Sequence, residues 1–485
     1  MRYLLITILS ILTILVHAQE KRVLDLEECI TIAIENNLNV QRSALNLQTA
    51  EVNLMQSNAQ RFPSLTANGS FGYNWGRSID PNSNLFVNQR INTNSVSISS
   101  GLPLIQGLQI TNSIKQSKTD LLASELDLQR SKNDLSINVA SFYLTVILNK
   151  ELVENAKFQL ESSKQQLDQT SKFVASGALP IADELQLESQ VATNEVTLVN
   201  NQNNLDLSIL DLKLALLLPP GVEIDVVVPE IEIEDPNIAE INSLAVYEYA
   251  LKNQPEIQAA DARVTSSSLA LDVSKGALFP SLSLGASLST NYSDANDKIF
   301  VQDGGNPTIA QFPTDLLAVD DQGQPISNVE IVENVEITSG EIRDYGVADQ
   351  WDDNLRYSVS LDLFITILNG FNNRSNMQRA KINLQQSEIN AKDERNILYQ
   401  TIETAYRNAL AASRTYISSQ KQVAALQETF RAVENQYNNG AANFTDYQVA
   451  NNNLFRAQSD LSRSKIDFIF RKKILDFYLG KPLKF

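Results

Sequence analysis

The chain has 485 residues, a formal net charge of −18 at pH 7, one histidine and one cysteine. This acidic balance argues against nucleic acid and anionic lipid as partners. The only histidine, His17, lies in an N-terminal segment that we predict to be removed from the mature chain, and Cys29 is the only cysteine. Histidine-based catalysis, metal binding by histidine and an intrachain disulfide are therefore excluded. No catalytic, cofactor-binding or metal-ligating residue is therefore predicted.

The N-terminus has the pattern of a secretory signal peptide. Arg2 precedes an apolar run at residues 4–16, and small or apolar residues stand at Val16 and Ala18. We predict cleavage after Ala18, which makes residues 1–18 the signal peptide. The run is shorter than the roughly 20 apolar residues that a spanning helix needs, and a membrane anchor is the less favoured alternative. A membrane-embedded mature chain would then have to be a β-barrel.

The rest of the chain repeats itself. A Phe-Pro-Ser-Leu motif at 62–65 recurs at 279–282, and later matches recur at a larger offset, such as Gly177 with Gly440. We therefore predict a first structural repeat at 19–218, a connecting equatorial region at 219–245 and a second repeat at 246–485. The extra residues of the second repeat fall at about 293–356, an acidic stretch with 14 Asp/Glu and 3 Lys/Arg. We predict that this insertion is one large extracellular loop.

Each repeat predicts the same elements in the same order. The first has a helix at about 25–61, a strand at 65–75, a strand at about 95–104, a long helix at 108–176 and a returning helix at 181–218. The second has strands near 282–288 and 357–363, a long helix at 371–439 and a returning helix at 441–479. Each long run is free of Gly and Pro and is about 100 Å long as a helix. Apolar residues seven apart on the returning helix predict a coiled-coil seam, namely Val191, Leu198, Leu205 and Leu212.

The strands alternate apolar residues with Ser, Thr and Asn, which suits a membrane barrel, although a soluble sheet has the same alternation. The signal peptide favours the barrel. Four strands per chain cannot close, since the smallest common barrels have about eight. Several chains must share one barrel, two giving eight strands and three giving twelve. The polar lining favours the wider barrel.

In this order and in duplicate, these motifs resemble the TolC-like outer-membrane efflux protein family, also called outer membrane factors. The resemblance covers nearly all of residues 24–482. It implies a mixed fold in which long antiparallel α-helical coiled-coil hairpins form a periplasmic tunnel. It also implies that four membrane β-strands per chain complete a twelve-stranded trimeric β-barrel in the outer membrane. The expected partners are two further copies of the chain, a periplasmic adaptor (membrane fusion) protein, an inner-membrane transporter and outer-membrane lipid.

The resemblance also implies a periplasmic gate made by Asp183, Tyr437 and Asp446. The adaptor would contact the helix turns, at Gly177, Ala178, Leu179, Gly440, Ala441 and Ala442. This chain departs from the family pattern at Ala182, Ala442 and Val449, so its closing network is expected to be thinner or made by other residues. The alternative is that both aspartates serve only as first-turn acids at helix N-termini and that Tyr437 serves only in packing.

The function implied is an exit duct of a tripartite efflux or type I secretion system, which passively conducts substrates delivered by the inner-membrane transporter. An enzyme is disfavoured because a phosphate-binding glycine loop and paired cysteines are missing as well as histidine. A structural coiled-coil surface protein or adhesin without channel activity is the remaining alternative, and the alternating strands argue against it.

Overall fold

The computed structural model describes residues 22–81, 84–229, 233, 236–238, 241–295, 297–319, 321–322, 324–337 and 339–483. The predicted signal peptide lies outside the described residues, as does part of the predicted connecting region. The chain divides into two compact units. One comprises the described parts of 1–57, 111–272 and 374–485, and the other comprises 58–110 and 273–373.

The elements follow in chain order. The first part of the chain contains β1 (Arg22–Leu24), α1 (Leu26–Asn36), α2 (Leu38–Ala59), β2 (Ser64–Asn74), β3 (Arg77–Ile79), β4 (Phe86–Asn88), β5 (Ile91–Gln106), α3 (Gln109–Ala175), α4 (Ile181–Ala215) and β6 (Ile224–Val226). The second part contains α5 (Ser243–Asn253), α6 (Pro255–Gly276), β7 (Ser281–Ser293), β8 (Lys298–Gln302), β9 (Thr308–Val319), β10 (Pro325–Ile337), β11 (Gly340–Asp344), α7 (Val347–Asp353), β12 (Arg356–Phe364), α8 (Asn372–Asn438) and α9 (Phe444–Tyr478).

The helix predicted at 25–61 is in fact two helices, α1 and α2. Asn37 has an extended backbone, with ψ 123°. Its side chain accepts hydrogen bonds from the amides of Asn39 and Val40, at 2.8 and 3.2 Å. The Asn37 side chain therefore caps the second helix where the first one ends. The sequence analysis missed this break because it relied on Gly and Pro to mark the ends of helices.

The long helices match between the two halves of the chain. Both α3 and α8 have 67 residues, and both α4 and α9 have 35. A 67-residue helix is about 100 Å long. Each long helix and its returning helix form one hairpin, and we call α3–α4 hairpin one and α8–α9 hairpin two.

The main sheet has the strand order β12-β7-β5-β2, with every neighbouring pair antiparallel. Registered pairs place Ala67, Ile98, Leu288 and Tyr357 side by side on one face. The other face carries hydroxyl pairs, Thr66 with Ser99 at 2.8 Å, Ser70 with Ser95 at 2.7 Å and Ser287 with Ser358 at 2.9 Å. The predicted alternation thus gives a sheet with one apolar and one hydroxyl-rich face.

The acidic insertion, predicted as one large loop, contains regular structure. Strand β8 pairs with β11, and β9 pairs with β10, both antiparallel. Helix α7 follows, and the side chain of Gln350 is fully buried there. Its amide bonds the backbone N–H and C=O of Ser293 at 2.9 and 3.1 Å and the C=O of Tyr345 at 3.0 Å. These strands were not predicted, because the insertion was recognised by its many acidic residues, and charge alone does not indicate which backbone segments pair.

The largest core cluster joins α1, the middle of α3, the end of α4, β1, β6 and α9. Tyr143 is fully buried there, and its hydroxyl donates to the C=O of Val227 at 2.7 Å. Cys29 is fully buried as well, and burial raises the pKa of its thiol to about 12, so it acts as a small apolar residue. None of the helices in the described part of the chain is long and apolar enough to cross a membrane.

Candidate gate at the hairpin turns

The turns of the two hairpins have the same backbone. Gly177 has φ +77° and Gly440 has φ +70°. The amide of Gly177 donates to Val174 and that of Ala178 to Phe173, both at 2.9 Å. In hairpin two, Gly440 donates to Tyr437 at 3.0 Å and Ala441 to Gln436 at 2.7 Å. This is the Schellman motif, which needs a left-handed residue that glycine supplies without strain.

The turn residues singled out from the sequence lie at the surface or close to it. Gly177, Ala178, Gly440 and Ala441 are exposed, whereas Leu179 and Ala442 are half-buried. A cavity of about 460 Å³ lies between the two turns. Its lining includes Ala178, Leu179, Asp183, Tyr437, Gly440 and Ala442. The structure therefore brings residues of both turns together around one space.

Tyr437 is the centre of an aromatic cluster that the sequence did not reveal. Its ring stacks on Tyr447 at 5.1 Å between centroids, and Phe444 lies 6.1 Å away. Phe444 and Tyr447 are buried, and Leu187 of α4 packs against them. Aromatic residues spaced three apart at a helix start are a visible sequence signal, but only the fold shows which ring they meet.

The hydroxyl of Tyr437 is buried and forms no hydrogen bond of ordinary geometry. Burial raises the pKa of Tyr437, and the nearby charge of Asp183 raises it further, while the adjacent Thr170 and Gln166 act in the opposite direction. The Asp183–Tyr437 hydrogen bond expected from the family pattern is thus not formed within one chain, although the two residues line the same cavity. The hydroxyl of Thr170 is likewise buried without a hydrogen bond.

Asp446 lies apart from this cavity, on an exposed part of the first turn of α9. Its backbone N–H donates to the side chain of Asn443 at 2.9 Å, so Asn443 caps the helix. In hairpin one, α4 begins after Pro180 without any side-chain cap, and Asp183 and Glu184 are its first-turn acids. Both aspartates therefore fit the helix N-terminus alternative as well as a role at a pore.

The other two departures from the family pattern, Ala182 and Val449, are exposed. Neither offers a hydrogen-bonding side chain to the gate. Ala442 lines the cavity and likewise brings no polar side chain to it.

Comparisons with known proteins agree with this architecture. The model of the outer membrane efflux protein family matches residues 29–216 and 338–471. A search of curated protein sequences finds no match.

Solved structures share the fold at low sequence identity. The channel CusC superposes with a TM-score of 0.72 at 17% identity, covering 95% of this chain and 94% of CusC. VceC from Vibrio cholerae gives 0.69 at 14% identity, with 95% and 97% covered. CmeC from Campylobacter jejuni, an outer membrane channel, gives 0.66 at 14% identity, with 94% and 85% covered.

The predicted fold class, in which long helical hairpins are joined to four strands per chain, is confirmed. The family match also supports an exit duct in the outer membrane with a large periplasmic portion. On the family match over most of its length, the chain belongs to the outer membrane efflux protein family.

Proposed function

We propose that three copies of this chain share one twelve-stranded barrel and one helical tunnel. The trimer passively conducts substrates that an inner-membrane transporter delivers through a periplasmic adaptor protein. In this assembly the turns of the hairpins form the periplasmic entrance, and the acidic insertion between β7 and β12 lies outside the cell.

The observation that carries the trimer is the four-stranded sheet with its two open edges, β2 and β12. Its apolar face is strongly exposed in the single chain, with Leu65 75% and Tyr357 86% accessible. Lipid would cover such a face, but lipid cannot pair the backbone of an open edge, which costs several kcal/mol per unpaired group. Strands from other copies can pair these edges, and three copies leave room for a channel lined by hydroxyls.

The gate proposal rests on the cavity between the turns. Tyr437 has a buried hydroxyl that makes no hydrogen bond of ordinary geometry, and Asp183 lines the same cavity and raises the pKa of Tyr437. In the closed trimer a small shift of the neighbouring turn would let the Asp183 carboxylate accept a hydrogen bond from the Tyr437 hydroxyl. Three exposed Asp446 side chains around the axis would form a negative ring that favours cations. The exposed glycines and alanines of the turns support the docking of an adaptor, since small residues allow close approach.

The test uses the full-length protein extracted from outer membranes in detergent. Native mass spectrometry should show a trimer, and the trimer should conduct ions in a planar bilayer. A stable monomer would overturn the shared barrel. A trimer that never conducts, even after the Asp183→Ala/Tyr437→Phe change, would favour the structural surface protein over the duct.

A further inference from the structure

The hairpin of β2 and β5 differs in charge from the rest of the chain. Within residues 64–106 the charged side chains are Arg77, Arg90 and Asp80, a net +1, whereas the whole chain has −18. Asp80 is fully buried, and both arginines are exposed. The exposed charge of this hairpin is therefore entirely positive. The acidic balance that argued against anionic lipid as a partner does not hold for this part of the molecule.

One of the two arginines lies on the apolar face of the main sheet. Tyr73 is on that face, because it stands six residues beyond Ala67 in β2. The Arg90 guanidinium lies over the Tyr73 ring, 5.2 Å from its centroid. Phe71 and Trp75 flank Tyr73, with centroids at 5.3 and 6.0 Å, and all three rings are exposed. The apolar face therefore ends in a row of three aromatic rings with a cation over the middle one.

The second arginine has the same arrangement further along the hairpin. Arg77 of β3 lies over the ring of Phe86 of β4, 4.6 Å from its centroid, and Phe86 is 67% exposed. Arg77 is registered with Asn88, two residues before Arg90, so roughly 7 Å of strand separates the two arginines. Within the described residues neither arginine takes part in an ion pair. Both guanidinium groups are thus held on rings and lack an anion.

The surroundings of the two guanidinium groups favour phosphate on a lipid as that anion. A guanidinium stacked on a ring keeps its N–H edge exposed, and this planar fork matches two oxygens of one phosphate. Aromatic side chains concentrate where the hydrocarbon of a membrane meets its headgroups, which is the depth at which lipids carry phosphate. The apolar face would contact the acyl chains while the arginines bind the headgroup. A soluble phosphate compound would leave the apolar part of this surface uncovered.

We propose that the end of the β2–β5 hairpin remote from α2 and α3 binds an outer-leaflet lipid through phosphate on its headgroup, with Arg77 and Arg90 as the phosphate-binding residues. This site rests on the proposed function, which places that end of the hairpin at the outer surface. The competing occupant is the acidic insertion of a neighbouring copy. Lipid is favoured because Arg90 lies on the face that lipid covers. In addition, Asp294, the first acid of the insertion, already accepts from the backbone N–H of Asn92 at 2.6 Å.

The test is lipid binding by the full-length trimer in detergent, measured by native mass spectrometry. The probes are lipid A, a glycolipid that carries two phosphates, the same lipid after removal of both phosphates, and phosphatidylglycerol. The parent trimer should bind the phosphorylated lipid A roughly tenfold more tightly than the dephosphorylated form, since each arginine near a membrane surface adds to the attraction. Arg77→Gln/Arg90→Gln should lower this ratio to within about twofold. Arg77→Lys/Arg90→Lys should give an intermediate ratio, because an ammonium keeps the charge without the bidentate fork.

The matched control is Arg343→Gln/Arg356→Gln, which removes the same charge from the same compact unit. Arg343 is in β11 of the insertion, and Arg356 is registered with Ser289 on the hydroxyl-rich face of the main sheet. The control should keep the parent ratio. A loss of preference as large as that of the Arg77→Gln/Arg90→Gln variant would overturn the proposal. If the latter variant does not assemble, the lysine variant tests the site, and an unchanged ratio there would overturn the proposal as well.

Three results with the probes would also contradict the site. A parent that binds both forms of lipid A equally has no phosphate site. A parent that binds phosphatidylglycerol as tightly as phosphorylated lipid A does not select a lipid of the outer leaflet. An Arg77→Gln/Arg90→Gln trimer that dissociates faster but keeps the lipid preference would assign the arginines to the insertion of a neighbouring copy. A parent that is never a trimer, or never conducts, would instead overturn the proposed function, so the lipid preference of a conducting trimer tests this site alone.

Discussion

The turns of the two hairpins share one backbone and differ in what supports it. In hairpin two, Asn443 caps α9, and the buried Phe444 and Tyr447 pack beneath the turn. In hairpin one, Pro180 caps nothing, and the first buried residue of α4 is Leu187, which rests on those same aromatic rings. The glycines thus set the shape of both turns, whereas hairpin two supplies most of the packing that holds them together. We therefore expect the turn of hairpin one to lose more stability when the packing in hairpin two is disrupted than the turn of hairpin two loses when hairpin one is disrupted.

The largest expected effect comes from removing the aromatic support. Phe444 is 4% exposed, so Phe444→Ala should lower the local stability of the turns by about 3–5 kcal/mol, because apolar burial is lost and a cavity remains. Hydrogen exchange should then accelerate in both turns, including residues 177–187 of hairpin one. The control is Phe173→Ala, since Phe173 lines the same cavity but is 45% exposed and contributes less. Faster exchange confined to hairpin two would contradict the dependence of hairpin one.

The gate gives the next effect. Asp183→Ala with Tyr437→Phe should raise the resting conductance of the trimer by roughly tenfold or more, since a hydrogen bond to a charged group contributes about 1.5–3 kcal/mol. Single-channel recording measures this directly. Tyr447→Phe is the matched control, because it keeps the ring stack and leaves both gate residues in place. Unchanged conductance in the double variant would show that Tyr437 serves in packing alone.

The caps give a smaller effect. Asn443→Ala should lower the free energy of unfolding by about 1 kcal/mol, because it removes the side chain that accepts from the Asp446 amide. Pro180→Asn should raise the free energy of unfolding by a similar amount or less, because it adds a side-chain cap to α4. Thermal unfolding and hydrogen exchange of the first turns measure both. If Pro180→Asn instead loosens α4, the fixed φ of proline contributes more to that turn than the missing cap.

The smallest effect concerns ion preference. Asp446 is exposed at the start of α9, so Asp446→Asn removes three charges from the trimer with little change in packing. The cation preference, measured as a reversal potential across a salt gradient, should fall. Asp460→Asn on the same helix is the control for loss of charge elsewhere. An equal change in both variants would place the selectivity outside the entrance.

The elements predicted correctly from the sequence are those whose positions follow from hydrophobic periodicity and from the placement of Gly and Pro. The long helices end within about two residues of their predicted ends, since Gly177 and Gly440 force the turns and no other Gly or Pro interrupts the runs. The break at Asn37 and the strands of the insertion were missed, because they depend on one side-chain cap and on pairing between distant segments. At the gate, the family resemblance implied that Asp183, Tyr437 and Asp446 act together; Asp183 and Tyr437 line one cavity, whereas Asp446 lies apart from it. The missing Asp183–Tyr437 bond and the aromatic cluster depend on packing that periodicity does not encode.

The order of strands in the main sheet has a consequence for biogenesis. Its central pair joins the two halves of the chain, with Thr93 of β5 beside Ser293 of β7. About 200 residues separate these partners, so the sheet cannot be completed until more than half of the chain has been exported. Until then the hairpin of β2 and β5 carries its apolar face and both of its strand edges unprotected through an aqueous compartment. A chain built this way needs a holding factor during export, or an arrival at the membrane faster than its own aggregation.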